Sequence, residues 1–74
     1  MNTTEKLCSI FAEEFNFNSL EITEESSFSE LGLDSLDLVE AVMRVEDAFS
    51  IEIPDEAFSQ FRTVGDVVNY INNL

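Results

Sequence analysis

Ser35 is the residue of this chain whose position suggests chemistry most directly. It follows Gly32, Leu33 and Asp34, so its hydroxyl lies where a loop becomes a helix. These residues leave two interpretations open. Either Asp34 or Ser35 only caps the helix, the usual role of Asp and Ser at such a position, or Ser35 is a site where a phosphate-bearing group is attached covalently. A helix N-terminus favours phosphate because its unpaired N–H groups and its dipole both attract anions.

The chain does not contain the groups that would activate this hydroxyl. It has no His, and its only Lys, Lys6, is far from Ser35 in the sequence. A serine nucleophile needs an adjacent base, so chemistry at Ser35 would have to be performed by another protein. The sequence offers neither a nucleophile–base pair nor a metal constellation, and we expect no catalytic activity.

The charge of the chain limits its partners. Sixteen Asp and Glu residues against three Lys and Arg give 74 residues a net charge of −13. Nucleic-acid binding needs clustered basic residues and is excluded, whereas basic protein partners are favoured. The absence of His and the single Cys8 exclude His-ligated metal sites, an internal disulfide and a Cys-rich zinc site, so we expect no metal. We expect Cys8 to be a small core residue rather than a reactive thiol.

The segment from Ser35 to Phe49 predicts the clearest helix. With about 100° of rotation per residue, one apolar stripe is expected to face the core and consists of Leu38, Ala41, Val42, Val45 and Phe49. A second apolar group, Leu36, Val39 and Met43, lies on the other side of the helix. Acidic side chains are interleaved with or beside this second group, together with Arg44; they are Asp37, Glu40, Glu46 and Asp47.

Two interpretations fit the second apolar group. The helix could be buried on two sides, as happens inside a bundle. Alternatively, Leu36, Val39 and Met43 form an exposed apolar patch surrounded by carboxylates. Such a patch would bind a protein, because the charges attract and orient a basic partner while the apolar side chains provide contact area.

Periodicity also predicts the first helix and a long connection after it. Leu7, Ile10, Phe11 and Phe15 have the spacing of one helix face, and Thr3 or Thr4 is the expected cap. From 16 to 34 the pattern fades, and we expect a connection with one helical turn near Ser27–Leu31. Apolar side chains should hold this connection to the core; they are Phe17, Leu20, Ile22, Phe28, Leu31 and Leu33.

The remaining residues predict two more helices. Ile51–Ile53 resembles a short strand, but Pro54 ends it and no partner strand is available. Asp55–Phe61 is expected to form a short helix. Thr63 and Asp66 have the spacing of a capping box, followed by the apolar stripe of a last helix at Val64, Val67, Val68, Ile71 and Leu74. The fold class is therefore all-α, a small four-helix bundle of three long helices and one short one, in a single domain over residues 1–74.

The N-terminal residues do not resemble a targeting segment. A signal peptide would begin with basic residues and continue in an uninterrupted apolar stretch, which Glu13 and Glu14 prevent here. No stretch approaches the roughly 20 apolar residues of a membrane span. We expect a cytoplasmic monomer that binds neither membranes nor nucleic acid.

The ordered set of motifs resembles an acyl carrier protein. The first part is Leu31-Gly32-Leu33-Asp34-Ser35-Leu36-Asp37, followed by Val39-Glu40. The next part is Val45-Glu46-Asp47-Ala48-Phe49-Ser50-Ile51-Glu52-Ile53-Pro54-Asp55-Glu56. Thr63-Val64-Gly65-Asp66-Val67-Val68, Tyr70-Ile71 and the upstream Glu21-Ile22-Thr23-Glu24-Glu25-Ser26-Ser27-Phe28 also match. The resemblance covers nearly the whole chain, and its specificity lies in the ordered set rather than in any single motif.

The resemblance implies a cofactor and a way of working. Ser35 would carry 4′-phosphopantetheine, transferred from coenzyme A by a separate Mg²⁺-dependent transferase, and the terminal thiol of this arm would hold acyl groups as thioesters. The second helix would dock phosphopantetheinyl transferase (holo-ACP synthase), ketosynthases, acyltransferases and other acyl-processing enzymes that have basic docking patches. The residues that would form this docking surface are Asp34, Leu36, Asp37, Val39, Glu40, Met43, Glu46 and Asp47.

The subtype and one other class of function stay open at this point. Gly-Leu-Asp-Ser-Leu differs from the usual peptidyl carrier motif, and the Ile-Glu-Ile-Pro-Asp-Glu run is absent from D-alanyl carriers. Leu38, Arg44, Phe58 and Phe61 depart from the common fatty-acid carriers, which leaves fatty-acid and polyketide synthesis both possible. The alternative is an acidic helical adaptor that binds a basic partner without covalent modification. Only the carrier needs the hydroxyl of Ser35.

Overall fold

The computed structural model describes residues 2–18 and 21–74, and in these residues the chain forms four helices. They are α1 (Thr3–Phe15), α2 (Ser35–Phe49), α3 (Asp55–Phe58) and α4 (Val64–Asn72). No strand is formed within the described ranges; the nearest approach to one is an isolated antiparallel bridge between Ser27 and Thr63. The predicted all-α bundle of three longer helices and one short helix is confirmed.

Helix α1 is the element on which the other two longer helices pack, since it contacts both α2 and α4. Leu7 and Phe11 are fully buried, and the Phe11 ring lies 5.4 Å from the ring of Phe28 in the following connection. The predicted cap at Thr3 or Thr4 is wrong, because both residues already lie inside the helix. Asn2 is the cap: its side-chain oxygen accepts a hydrogen bond of 2.8 Å from the Glu5 N–H.

The connection between α1 and α2 is held to the core by four of the predicted side chains. Ile22 and Phe28 are buried, and Phe17 and Leu33 pack against the core cluster. Leu31 is half-buried and is not among the side chains that pack against this cluster, and the predicted contact of Leu20 lies outside the described residues. The expected turn is formed, because the Leu31 N–H donates to the Ser27 carbonyl at 3.1 Å. These contacts give the long segment a defined path to the start of α2.

Backbone hydrogen bonds tie this connection to the start of α4. Phe28 N–H donates to the Arg62 carbonyl at 2.9 Å, Val64 N–H to the Ser26 carbonyl at 3.1 Å, and Gly65 N–H to the Glu24 carbonyl at 2.8 Å. We call this pairing of 24–28 with 62–65 the loop clamp. It fixes the segment that leads to Ser35, because it satisfies backbone groups from both sides.

Helix α2 is stabilised at its far end by α1. The Lys6 Nζ donates to the Ala48 carbonyl at 3.1 Å and lies 4.5 Å from the centre of the Phe49 ring. Helix α2 has no basic residue in its own last turn. Lys6 therefore supplies the positive charge that favours a helix C-terminus, at the opposite end of α2 from Ser35.

Two predicted boundaries near the C-terminus are corrected. Helix α3 ends at Phe58 rather than Phe61, because the next residues tighten into turns in which Gln60 N–H bonds the Ala57 carbonyl and Phe61 N–H bonds the Phe58 carbonyl. The capping box of α4 is confirmed, with Asp66 N–H donating to Thr63 Oγ1 at 3.2 Å. Leu74 does not belong to the apolar stripe, since it lies beyond α4 and is 68% exposed.

None of the helices in the described part of the chain combines the length and the apolar character needed to cross a membrane.

Candidate functional site

Ser35 is the first residue of α2, and its side chain is exposed. The question of which residue caps the helix is settled in favour of Asp34. Its Oδ1 accepts from the Asp37 N–H at 2.9 Å, and the Asp37 Oδ2 accepts from the Asp34 N–H at 3.1 Å. Because Asp34 and Asp37 satisfy the helix end, the Ser35 hydroxyl is not needed as a cap. It forms no hydrogen bond with any residue of the described ranges 2–18 and 21–74.

The loop before Ser35 reaches the helix through a left-handed residue. Gly32 has φ +79, a conformation that glycine adopts without a steric penalty. The turn is closed by hydrogen bonds from Gly32 N–H to the Ser29 carbonyl and from Leu33 N–H to the Phe28 carbonyl, both at 3.0 Å. Since Phe28 is also part of the loop clamp, the position of Ser35 depends on the start of α4 as well as on α2.

An open groove of about 510 Å³ adjoins Ser35. Its lining combines apolar and polar side chains with one cation, and consists of Ser27, Phe28, Ser29, Leu33, Asp34, Ser35, Leu38, Phe61 and Arg62. An exposed hydroxyl at a helix N-terminus, beside a groove that contains an arginine, fits an arm that begins with a phosphate and continues as a flexible chain.

The second apolar group of α2 is exposed, which rules out burial of the helix on two sides. Leu36 is 75% exposed, Val39 43% and Met43 59%. The predicted core stripe is buried at Ala41, Val42 and Val45, with Leu38 and Phe49 packed against it. We call Leu36, Val39 and Met43 the apolar patch. Contiguous exposed side chains of this kind on a small protein typically mark an interaction surface.

The carboxylates around the apolar patch divide into two kinds. Asp34 and Asp37 cap α2, and the half-buried Glu46 accepts a 2.7 Å hydrogen bond from the Ile53 N–H through its Oε2. Glu40 and Asp47 are exposed and form no hydrogen bond or ion pair within the described residues. Glu40 and Asp47 are therefore fully available to a partner, whereas Asp34, Asp37 and Glu46 also hold the backbone in place.

Arg44 follows Met43 of the apolar patch in the sequence, but its side chain is paired with a residue of α1. Its Nε forms a 2.9 Å ion pair with the Oε2 of Glu14, whose side chain is largely buried. This pairing lowers the effective positive charge that Arg44 contributes next to Glu40 and Asp47. The exposed face of α2 is therefore dominated by carboxylates.

Cys8 is the core residue that the sequence predicted. Its side chain is buried and its Sγ donates to the Ile22 carbonyl at 3.4 Å. Burial, and to a smaller extent the negative charge of Glu24, raises the pKa of the Cys8 thiol above its usual value. A raised pKa suppresses the thiolate form that reacts as a nucleophile. Across residues 2–18 and 21–74, no group of three or more His, Cys, Asp or Glu residues is placed to hold a metal ion.

Comparison with known proteins identifies the family. The family model described as "Phosphopantetheine attachment site" matches residues 5–71. The "Acyl carrier protein" of Prochlorococcus marinus (strain MIT 9515) is 52% identical over 68 residues, which cover 90% of this chain and 85% of that protein. The chain belongs to the phosphopantetheine-bearing acyl carrier protein family. It is a carrier rather than an enzyme, and its cofactor is 4′-phosphopantetheine.

Three features of the site had no signal in the sequence. They are the hydrogen bond from Ile53 to Glu46, the loop clamp, and the position of Arg62 in the same groove as Ser35. All three depend on contacts between segments that are distant in sequence or that lack periodicity. Arg62 directly precedes the cap of α4 in the sequence, and only the folded structure brings it to the start of α2.

Proposed function

We propose that the Ser35 Oγ is the point at which 4′-phosphopantetheine is attached, and that the protein carries acyl intermediates of fatty-acid or polyketide synthesis on this arm. The observation that supports this assignment is the exposed hydroxyl of Ser35, which has no hydrogen bond within residues 2–18 and 21–74 and lies next to an Asp34 that already caps the helix. Because Asp34 already fills the capping role, the Ser35 hydroxyl is left available for a chemical role.

The attachment reaction requires a partner enzyme. A Mg²⁺-dependent phosphopantetheinyl transferase would supply the base and the metal that this chain does not offer. The Ser35 Oγ forms a bond to the phosphorus of coenzyme A that bears the pantetheine, and the bond from that phosphorus to the bridging pyrophosphate oxygen breaks. Adenosine 3′,5′-bisphosphate leaves, and the hydroxyl proton passes to the base of the transferase. When attached, the arm supplies a terminal thiol that holds acyl groups as thioesters.

The docking surface proposed for these enzymes is the apolar patch with its surrounding carboxylates. The apolar side chains Leu36, Val39 and Met43 are exposed as contact area. Glu40 and Asp47 are also exposed and have no partner among the described residues. With a net charge of −13, long-range attraction favours basic partners and speeds their association. The partners that fit this surface are the transferase, ketosynthases and acyltransferases with basic patches. The surface lies directly beside Ser35, since Leu36 is the next residue.

The remaining parts of the proposal concern the context of the carrier. We place it in the cytoplasm, where coenzyme A and acyl-processing enzymes are available, as a monomeric single domain over residues 1–74. A monomer keeps both the apolar patch and the groove at Ser35 accessible to successive enzymes.

A labelling experiment tests the attachment site. The purified protein is incubated with coenzyme A and a phosphopantetheinyl transferase of broad specificity, and its intact mass is measured. The wild type should gain one arm and Ser35→Ala none. Ser29→Ala is the matched control, because Ser29 is exposed in the same groove, and this variant should be labelled like the wild type. Equal labelling of Ser35→Ala and wild type would refute the assignment, and no labelling of either would favour the unmodified adaptor.

A further inference from the structure

Arg62 differs from the other cations of this chain because its charge has no partner in the described structure. The chain has three Lys and Arg residues. Lys6 is held by the Ala48 carbonyl and the Phe49 ring, and Arg44 by Glu14. The guanidinium of Arg62 forms no ion pair or hydrogen bond with residues 2–18 or 21–74. The exposed guanidinium of Arg62 is therefore available to an external anion.

The backbone of Arg62 is fixed while its side chain remains exposed. Its N–H donates to the Asp66 Oδ2 at 2.8 Å, and its carbonyl accepts from the Phe28 N–H at 2.9 Å. Both contacts belong to the junction between the loop clamp and the capping box of α4. Arg62 is therefore anchored beside the loop that leads to Ser35, and it lines the same groove as Ser35.

A cation near Ser35 would offset the negative charge of the nearby carboxylates. A phosphodiester on the Ser35 Oγ would carry a negative charge beside Asp34 and Asp37, and one of the N–H donors of the first turn, that of Asp37, is already bonded to Asp34. Among the residues that line the groove, Arg62 is the one with a positive charge. The planar guanidinium matches the geometry of phosphate oxygens and binds them more strongly than a neutral donor does.

We propose that Arg62 binds the phosphodiester of the arm on Ser35 and thereby directs the resting arm into the groove. This inference rests on the proposed attachment at Ser35. The apolar side chains of the groove, Phe28, Leu33, Leu38 and Phe61, then lie along the path of the arm, on a different side of α2 from the apolar patch.

Comparison of the apo and holo forms of single-residue variants tests this contact. The transferase is used to attach the phosphopantetheine arm to the wild type, to Arg62→Gln and to the control Arg44→Gln. The intact mass of each protein confirms that the arm is attached. The melting temperatures of apo and holo forms are compared at low and high salt, and the Nε–Hε NMR signal of Arg62 is followed in the wild type. Arg62→Lys retains the charge and serves as a second variant.

The holo–apo differences in melting temperature distinguish the possible outcomes. We expect the difference in melting temperature between holo and apo forms to be lower in Arg62→Gln than in wild type, with Arg44→Gln unchanged and Arg62→Lys intermediate. High salt should reduce the contribution of Arg62, because screening weakens an exposed pair. The Arg62 signal should shift on loading. Full loading with no shift, and with the same holo–apo difference in Arg62→Gln as in wild type, would overturn the contact while leaving Ser35 as the attachment site. Absence of loading would instead contradict the proposed function.

Discussion

Gly65 and Glu24 approach each other so closely that only glycine fits. The Gly65 N–H donates to the Glu24 carbonyl at 2.8 Å, and a Cβ placed on Gly65 would lie 2.9 Å from the same oxygen. The obstructing atom belongs to the backbone and is held by the loop clamp, so it cannot rotate away as a flexible side chain could. The second residue of α4 thereby controls the path of the loop that ends at Ser35.

Gly65→Ala should destabilise the protein, against the helix propensity of the two residues. In an unobstructed helix, Ala is more favourable than Gly by about 1 kcal/mol. Overpacking against a fixed atom costs about 1 to 3 kcal/mol, so we expect a net decrease of about 1 kcal/mol in the free energy of unfolding. Urea denaturation measures this value, with Asn69→Ala on the exposed side of α4 as the control. A variant more stable than the wild type would show that the loop clamp yields easily.

Leu36→Ala should weaken the use of the protein by phosphopantetheinyl transferase without affecting its fold. Leu36 is 75% exposed, so its truncation should change stability by no more than about 0.5 kcal/mol. Central apolar contacts at an interface often contribute more than 1 kcal/mol, so kcat/KM for labelling should fall about tenfold.

Leu74→Ala is the matched control for this prediction. Leu74 is similarly exposed, at 68%, but lies beyond the end of α4 and outside the apolar patch. Its truncation should leave kcat/KM unchanged. Equal effects of the two substitutions would mean that general surface hydrophobicity, and not the apolar patch, determines recognition.

Local pattern was sufficient to predict the helices and the face of α2. The spacing of Leu36, Val39 and Met43 opposite Ala41 and Val45 follows from the rotation per residue, and exposure decides between the two interpretations. The capping box at Thr63 and Asp66 was equally local. In contrast, the sequence does not distinguish Asn2 from Thr3 or Thr4 as the cap of α1, because all three side chains can accept the capping hydrogen bond.

The local pattern of apolar residues does not predict the tertiary contacts. The connection 16–34 has no periodicity, so its sequence does not predict the hydrogen bond between Phe28 and Arg62 or the one between Glu24 and Gly65.

The acidic residues of α2 have different structural roles that the sequence does not distinguish. Composition shows that the chain is acidic, but it does not separate Glu46, which accepts a backbone hydrogen bond, from the adjacent Asp47, which is exposed.

Glu46→Ala should lower stability, whereas Asp47→Ala should not. The 2.7 Å hydrogen bond from the Ile53 N–H to the Glu46 Oε2 fixes the segment after α2, and Ile53 is itself buried. Loss of a partly buried hydrogen bond to a charged group should reduce the free energy of unfolding by about 1.5 kcal/mol. Glu46→Gln retains an acceptor oxygen and should fall between wild type and Glu46→Ala. If the Glu46→Ala and Asp47→Ala variants unfold at the same urea concentration, the hydrogen bond does not contribute to stability.

Cys8 should make the stability of the protein depend on pH in the alkaline range. Because the pKa of the folded thiol lies above its ordinary value of 9.0, the unfolded chain loses the thiol proton at a lower pH than the native protein does. The native state then holds more protons than the unfolded state, and stability falls as pH rises through this window. Below the ordinary value both states are protonated, so the full contribution of Cys8 is present at neutral pH.

Comparison with Cys8→Ala isolates this effect. All other residues are common to both proteins, so their contributions cancel in the difference between the free energies of unfolding. This difference should be constant around pH 7 and then change in favour of Cys8→Ala as the pH rises past the ordinary thiol value of 9.0. Native-state alkylation should also be slow, because the buried thiol is protected by its contact with the Ile22 carbonyl. A difference that stays flat up to pH 10, together with rapid alkylation of the folded protein, would show that Cys8 is accessible and its pKa ordinary.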